Sequence, residues 1–134
     1  MPGKINFKKR ILSSLPVIIW MIFIFFLSSN ENLPDLNKFI LNFDKIAHFI
    51  VYFVLGIFLQ VFFIINFDLK RKQFYYIFII AVGFTFALSD EYHQIFVPNR
   101  EPDLYDLIFD FLGIIFSLFF IKIINNILKN YKII

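Results

Sequence analysis

The sequence contains no cysteine, which excludes disulfide bonds and thiolate metal ligands. Glycine and proline are scarce as well, with 4 and 5 residues, and no Gly/Ser-rich or Pro-rich stretch divides the chain. Charged residues make up only 17% of it. Because nothing marks a linker and no segment repeats, we expect residues 1–134 to form one domain.

Apolar residues make up 60% of the sequence and are concentrated in long runs. A helix needs about 20 mostly apolar residues to cross a bilayer. The runs of this kind cover residues 11–28, 46–67, 74–94 and 104–124. They do not alternate with polar residues, which argues against a membrane β-barrel. No small-residue cleavage site follows the first run, so we interpret it as a retained helix and not as a signal peptide. The sequence therefore predicts an all-α polytopic membrane protein with four transmembrane helices.

Lys and Arg are distributed unevenly over the loops that these helices define. Of the 13 such residues, all but Lys38, Lys45 and Arg100 fall on the side of the membrane that carries both termini. By the positive-inside rule, both termini are predicted to be cytoplasmic. The other side carries all of the 10 acidic residues except Asp68. The net charge of +3 hides this asymmetry and does not indicate nucleic-acid binding. We expect a multi-pass protein of the cell inner (cytoplasmic) membrane, with its acids on the extracytoplasmic side.

Polar residues recur at helical spacing at the predicted outer ends of the helices. In the second helix, Asp44, His48 and Tyr52 are four residues apart, which places them on one face. In the fourth helix, Asp106 follows Asp103 by three residues and precedes Asp110 by four, so these three also share a face. Asp110 lies about 10 Å deeper than Asp103 at about 1.5 Å per residue. Ionisable residues within a span are costly and normally face partners or a wet cavity.

These positions, with polar residues at the end of the third helix, form a predicted ligand-binding site. Its members are Asp44, Lys45, His48, Tyr52, Glu91, Gln94, Arg100, Asp103, Asp106 and Asp110. His48 and Glu91 are the candidate catalytic residues, as a general base, although His48 could equally hold helices together by hydrogen bonding. The candidate metal ligands are His48, Glu91, Asp103 and Asp106, which would suit a divalent cation. Arg100 would either neutralise the acids or hold a phosphate or carboxylate of the ligand.

Two stretches of the sequence together resemble the VanZ-like family of small bacterial integral membrane proteins. They are "DKIAHFIVYFVLG", residues 44–56, and "SDEYHQIFVPNREPDLYDLIFDFLG", residues 89–113. The chain departs from the family pattern at Asp110, where the family usually has Asn. The resemblance implies a cell-envelope role, because the name-giving member is associated with low-level resistance to the glycopeptide teicoplanin. It does not imply a defined enzyme reaction.

Three functions are compatible with these residues. The first is a membrane protein that binds or modulates an envelope lipid, a lipid-linked precursor or a glycopeptide through its outer polar pocket. The second is a membrane-embedded, metal-dependent enzyme that acts on such a lipid. The third is a small transporter or channel subunit, which the apolar inner halves of the second and fourth helices disfavour. The sequence does not report the oligomeric state.

Two interpretations concern packing. We expect Gly56, Gly83 and Gly113 to permit close approach of helices. The tail that begins at Lys122 either extends the fourth helix or lies on the inner membrane surface.

Overall fold

The fold is known from a computed structural model, which describes residues 7–30, 43–67, 72–131 and 133. Its helices are α1 (Phe7–Ser28), α2 (Phe43–Asn66), α3 (Lys72–Gln94), α4 (Leu104–Ser117) and α5 (Ile121–Asn130). A short 3-10 turn, Leu118–Phe120, joins α4 to α5. No strand occurs in the described ranges, and the prediction of an all-α fold is confirmed.

Four helical segments are long and apolar enough to cross a membrane. They are Phe7–Ser28, Phe43–Asn66, Gln73–Gln94 and Leu104–Asn130, the last of which combines α4, the 3-10 turn and α5. The predicted number of spans is therefore confirmed, and the boundaries of the second and third spans lie within three residues of the prediction, while those of the first and fourth differ more. The first helix begins at 7 instead of 11, and the fourth continues to 130 instead of 124. Lys and Arg are good helix formers, so a helix can extend beyond the apolar run that reveals it.

The outward faces of the helices are apolar. Side chains such as Ile19, Phe26 and Phe119 are 62%, 67% and 75% exposed. Lipid tails are as apolar as these side chains, so their exposure to the bilayer is not penalised. The large number of Phe residues is thereby explained without a functional role, and only a narrow stripe of each helix has to pack.

The core forms where α2, α3 and α4 meet, and α2 with α4 is the closest helix pair. Leu55, Ile79 and Ile114, one from each helix, are completely buried in it. Gly113 lets α4 lie directly on α2, because a Cβ at this position would stand 2.8 Å from the backbone nitrogen of Phe53. A Cβ on Gly83 would instead meet the end of the Ile114 side chain, at 2.5 Å. The predicted packing role of the glycines is confirmed.

A neutral polar contact crosses the middle of the α2–α4 pair. The Gln60 side-chain amide donates to the backbone carbonyl of Ser117 at 2.8 Å and to its hydroxyl at 3.1 Å. The Tyr75 hydroxyl of α3 donates to the Gln60 backbone carbonyl at 2.9 Å. We refer to Gln60, Tyr75 and Ser117 as the neutral contact. It ties all three core helices together at a depth where water does not compete for the donors.

The C-terminal part of the chain continues the fourth span. Ile124 and Leu128 of α5 are buried against Ile65 of α2, so α5 packs on the bundle. Of the two alternatives for the tail, extension of the fourth helix is confirmed as far as Asn130. At the same end, the Lys9 ammonium donates to the Ile133 carbonyl at 3.1 Å, which brings the start of α1 next to the end of the described chain.

Candidate functional site

The start of α2, the end of α3 and the start of α4 lie at the same end of the bundle, opposite Lys9 and Ile133. This end carries the polar residues singled out in the sequence. We define the polar site as Asp44, Lys45, His48, Tyr52, Glu91, Gln94, Asp103, Asp106 and Asp110. The helical spacing explains the convergence, because each helix turns its polar face towards the other two.

Lys45 forms the entrance to the polar site. Its ammonium lies 2.5 Å from carboxylate oxygens of both Asp103 and Asp106, and 3.6 Å from Asp44. Asp103 is also the N-cap of α4, because its other carboxylate oxygen accepts a hydrogen bond from the Tyr105 backbone N–H at 2.8 Å. The Lys45 ammonium and this N–H stabilise the ionised carboxylate, which lowers the pKa of Asp103 below its usual range. One lysine therefore joins α2 to the first turn of α4.

His48 lies one turn further into the bundle and contacts two carboxylates. Its Nδ1 is 2.9 Å from Asp110 Oδ1, and its Nε2 is 3.8 Å from Asp106 Oδ2. A carboxylate that accepts from one ring nitrogen fixes the ring's orientation and leaves the other nitrogen for chemistry. The His48 side chain is mostly buried, so it does not reorient freely in water.

Glu91 brings α3 into the polar site. Its Oε2 accepts a hydrogen bond from the Asp103 backbone N–H at 3.1 Å, and the Gln94 side-chain amide approaches its Oε1 at 3.4 Å. Both Glu91 and Gln94 are buried. Glu91 thus holds the end of the loop that leads into α4, while one of its oxygens has only a long hydrogen bond.

The deep end of the polar site contains buried polar atoms that lack a partner among the described residues. They are Asp110 Oδ2 and the Tyr52 hydroxyl. Asp110 is 0% exposed and Tyr52 is 1% exposed. An unpaired buried acceptor costs about 1–3 kcal/mol, and more when it is charged. The charged groups at the entrance of the polar site therefore have partners, whereas these two buried polar atoms at its deep end have none among the described residues.

The polar site has more buried carboxyl groups than cations. Asp90, Glu91, Asp106 and Asp110 are all at least nine-tenths buried. Among the described residues, Asp106 contacts the Lys45 ammonium and Asp110 contacts the His48 imidazole. Buried charges require a partner or a retained proton. Between the described helices, the local charge balance is acidic although the whole chain is basic.

Asp90 belongs to this region and was not among the predicted site residues. Its carboxylate accepts a hydrogen bond from the Ser28 hydroxyl at 2.8 Å, which brings the end of α1 to α3. His93, on the last turn of α3, stacks on Phe25 with ring centroids 4.5 Å apart and lies 2.9 Å from the Ser29 hydroxyl. The sequence carried a signal for these contacts, because Ser28 and Ser29 end the first apolar run on the side of the membrane that is predicted to carry the acids.

Arg100 lies differently from what the sequence predicted. Its guanidinium approaches the Leu27 carbonyl of α1 at 3.4 Å. Among the described ion pairs, none joins Arg100 to a carboxylate of the polar site. The backbone explains the difference, because the preceding residue, Asn99, adopts a left-handed conformation with φ of 61° in the turn after α3. The expectation that Arg100 neutralises the acids is wrong for this arrangement, and Lys45 has that role.

The described residues contain two groups that have the arrangement of metal ligands. One is Asp44, His48 and Asp106, and the other is His48, Glu91 and Asp110. Within each group, the candidate ligand atoms lie within 4.8 Å of one another. Of the predicted metal candidates, Asp103 belongs to neither group. Its carboxylate caps α4 and contacts Lys45 instead.

The fold and the polar site together define a multi-pass membrane protein that gathers ionisable residues at one end of its spans. The VanZ/LLP1 family matches residues 14–125, and the chain belongs to this family. The chain is also similar to a protein of Schizosaccharomyces pombe (strain 972 / ATCC 24843) described as "Uncharacterized protein C11E3.10". The two are 36% identical over 70 residues, which cover 52% of this chain and 41% of the yeast protein. The chain therefore matches less than half of that relative's length. No solved structure matches it significantly.

Proposed function

We propose that the protein binds the headgroup of an envelope lipid or lipid-linked precursor in its polar site. One observation carries this proposal: the Tyr52 hydroxyl and Asp110 Oδ2 are buried without a partner in the described part of the chain, below a half-buried, charged entrance. The polar site lies at the ends of helices that are long and apolar enough to cross a membrane, where we expect lipid headgroups. A headgroup that enters past Lys45 would supply hydrogen bonds to both atoms.

The excess of carboxyl groups limits the ligand's chemistry. Hydroxyl and amine groups would find acceptors at Glu91 and Asp110, whereas a bare phosphate would be repelled by the same carboxylates. Lys45 is already shared between Asp103 and Asp106, so it does not offset this excess. A headgroup that contacts only the protein's own side chains is therefore expected to carry hydroxyl or amine groups.

We place the polar site on the outer side of a bacterial cytoplasmic membrane. The support comes from the opposite end of the bundle, which carries Lys8, Lys9 and Arg10 at the start of α1 and Lys129 in the last turn of α5. The positive-inside rule assigns that end to the cytoplasm. A site on the outer side has access to lipid-linked envelope precursors, and the name-giving member of the family that the chain resembles is associated with low-level teicoplanin resistance. We therefore propose that ligand binding modulates susceptibility to these antibiotics.

Native mass spectrometry of the protein extracted with its membrane lipids tests ligand binding. We expect a specific lipid to remain bound to the wild type and to be largely lost from Tyr52→Phe and Asp106→Asn. Glu101→Gln is the matched control, because Glu101 is an exposed acid at the same end of the molecule. Equal lipid retention in all four proteins would contradict the proposal.

Drug susceptibility tests the physiological part separately. We expect expression of the wild type in a glycopeptide-sensitive bacterium to raise the inhibitory concentration of teicoplanin, and Asp106→Asn to abolish the increase. The proposed role is wrong if Asp106→Asn leaves both lipid binding and teicoplanin susceptibility unchanged.

A second candidate function is a membrane-embedded enzyme that acts on the bound lipid. The observation in its favour is the orientation of His48, whose Nδ1 is held by Asp110. A histidine fixed by a carboxylate is the usual arrangement of a general base, with Glu91 as a second proton acceptor nearby. Incubation with a radiolabelled extract of membrane lipids should yield a new product that His48→Ala does not form. Turnover that survives this substitution would exclude His48 as the base.

A further inference from the structure

We infer that the polar site holds one divalent metal ion between His48, Glu91 and Asp110. These residues offer one imidazole nitrogen and two carboxylate oxygens, which lie within 4.8 Å of one another and come from three different helices. A single ion bound at about 2.0–2.2 Å from each ligand atom would hold these atoms within about 4.4 Å of one another, which is close to their separation without an ion.

The unpartnered oxygen of Asp110 is the independent observation that points to an ion. Asp110 is 0% exposed, its Oδ1 contacts His48 Nδ1, and its Oδ2 has no partner among the described residues. Burial of a carboxylate oxygen without a partner is costly. A cation bound to Oδ2 would satisfy this oxygen in place of a hydrogen bond from the headgroup and would balance the charge at the same time.

The charge balance of the surrounding residues also favours a cation. Asp90, Glu91 and Asp110 are buried, and Lys45 contacts Asp44, Asp103 and Asp106 instead of these three. His48 is the one basic side chain that contacts Asp110 in the described structure, and as a metal ligand its imidazole would be neutral and would not offset these charges. An ion with two positive charges would offset the excess at the deep end.

The alternative ligand group, Asp44, His48 and Asp106, is less suitable. Asp106 already has the Lys45 ammonium 2.5 Å from its Oδ1. A metal ion at the same carboxylate would be repelled by this ammonium and would have to displace it. The deeper group, in which no ligand contacts Lys45, avoids this conflict.

The ligand types indicate which ion binds. Carboxylate oxygens combined with one imidazole suit Mn²⁺ or Zn²⁺, and three protein ligands leave coordination positions open. The inference deepens the proposed function and in this last step rests on it. An ion at the deep end would let the acidic site accept a phosphate-bearing headgroup, which the carboxylates alone would repel.

Manganese binding to the full-length protein tests the inference. The protein is placed in phosphatidylcholine nanodiscs, stripped with EDTA and titrated with Mn²⁺, and free Mn²⁺ is measured by electron paramagnetic resonance. We expect one bound ion per chain. Asp110→Asn and Glu91→Gln should each raise the Kd by roughly tenfold or more. Both substitutions preserve side-chain shape, and circular dichroism checks that the variants remain folded.

Two further variants decide between the ligand groups. Glu101→Gln is the matched control and should leave the affinity for Mn²⁺ unchanged. Asp44→Asn should weaken binding less than Asp110→Asn does. Absence of stoichiometric binding to the wild type, unchanged binding in Asp110→Asn, or a larger effect of Asp44→Asn would each overturn the assignment.

Lipid retention measured with and without EDTA separates this inference from the proposed function. Retained lipid without Mn²⁺ binding would overturn the metal site and leave headgroup binding intact. Stoichiometric Mn²⁺ binding without lipid would support the metal site and contradict headgroup binding.

Discussion

The polar site and the neutral contact join the same two helices, α2 and α4, in different ways. In the neutral contact, Gln60 and Ser117 hold the helices with uncharged groups. In the polar site, Lys45 and His48 hold them through Asp106 and Asp110. Both are buried polar connections across one helix pair, but only the second carries a surplus of charge.

The comparison shows that charge is not required to hold this helix pair together. A neutral amide joins α2 to α4 at mid-membrane, where ionised groups would be most expensive. If the polar site were only a clasp, the same neutral groups would suffice there. Both connections contain a buried oxygen without a partner among the described residues, Gln60 Oε1 in one and Asp110 Oδ2 in the other. The extra buried carboxylates of the polar site are therefore the feature that favours a ligand over a purely structural role.

Removal of the Lys45 ammonium should have the largest effect on stability. Lys45→Met leaves the almost buried Asp106 carboxylate without its cation, and such a loss costs about 3 kcal/mol. The free energy of unfolding in detergent, followed by circular dichroism, measures it. The double variant with Asp106→Asn should recover part of the loss. A cost below about 1 kcal/mol would place this contact among ordinary exposed salt bridges.

Gly113→Ala should destabilise the α2–α4 pair at both polar connections. The new methyl group would press on the backbone of α2 at Phe49 and Phe53, which cannot move aside as a side chain can. Overpacking of this kind costs about 1–3 kcal/mol. Gly83→Ala is the control, because its methyl group would meet the flexible end of the Ile114 side chain. Equal losses in the two variants would contradict the direct backbone contact.

Gln60→Leu should have a smaller effect, because it removes neutral hydrogen bonds to Ser117 and leaves no buried charge behind. The expected loss in the free energy of unfolding is about 1 kcal/mol. Lipid binding should be unchanged, which distinguishes the neutral contact from the polar site. Reduced lipid retention in Gln60→Leu would remove that distinction.

The smallest effect concerns acid pH. The pKa of Asp103 is lowered in the folded protein by Lys45 and the Tyr105 N–H, so its carboxylate stabilises the fold above the unfolded pKa of about 3.9. This contribution is lost as the pH falls from about 4 through the lower folded pKa. The difference in stability between wild type and Asp103→Asn should therefore be constant near neutral pH and shrink in acid. A difference that grows in acid would contradict the ion pair.

Much of the fold could be predicted because the bilayer restricts the possibilities. Runs of apolar residues identify the spans, and spacing by three or four residues places Asp106 and Asp110 on one face. The approach of Gly113 to α2 follows from the same geometry. The convergence of the candidate residues could be predicted where a residue lies within a helix, since helical periodicity fixes the direction of its side chain.

Arg100 and Asp90 show where this reasoning stops. Arg100 follows a turn, and the left-handed Asn99 determines its direction, which no periodic pattern encodes. Asp90 contacts Ser28 of α1, and the rotation of α1 about its own axis depends on tertiary packing. The ions and protons that balance the buried carboxylates likewise depend on how the helices assemble, and no single segment of the sequence encodes them.

The hydrogen bonds of α1 have a consequence for the order of assembly. Trp20 donates to the Val51 carbonyl at 2.9 Å, Ser13 accepts from Asn66 at 2.7 Å, and Ser28 donates to Asp90. α1 is synthesised first, so these groups enter the membrane before any of their partners exist. The Ser13 hydroxyl can donate to the Arg10 carbonyl within α1, but the Trp20 N–H needs α2 and the Ser28 hydroxyl needs α3 for these bonds. Insertion of each later helix therefore makes departure of α1 into the surrounding lipid less favourable.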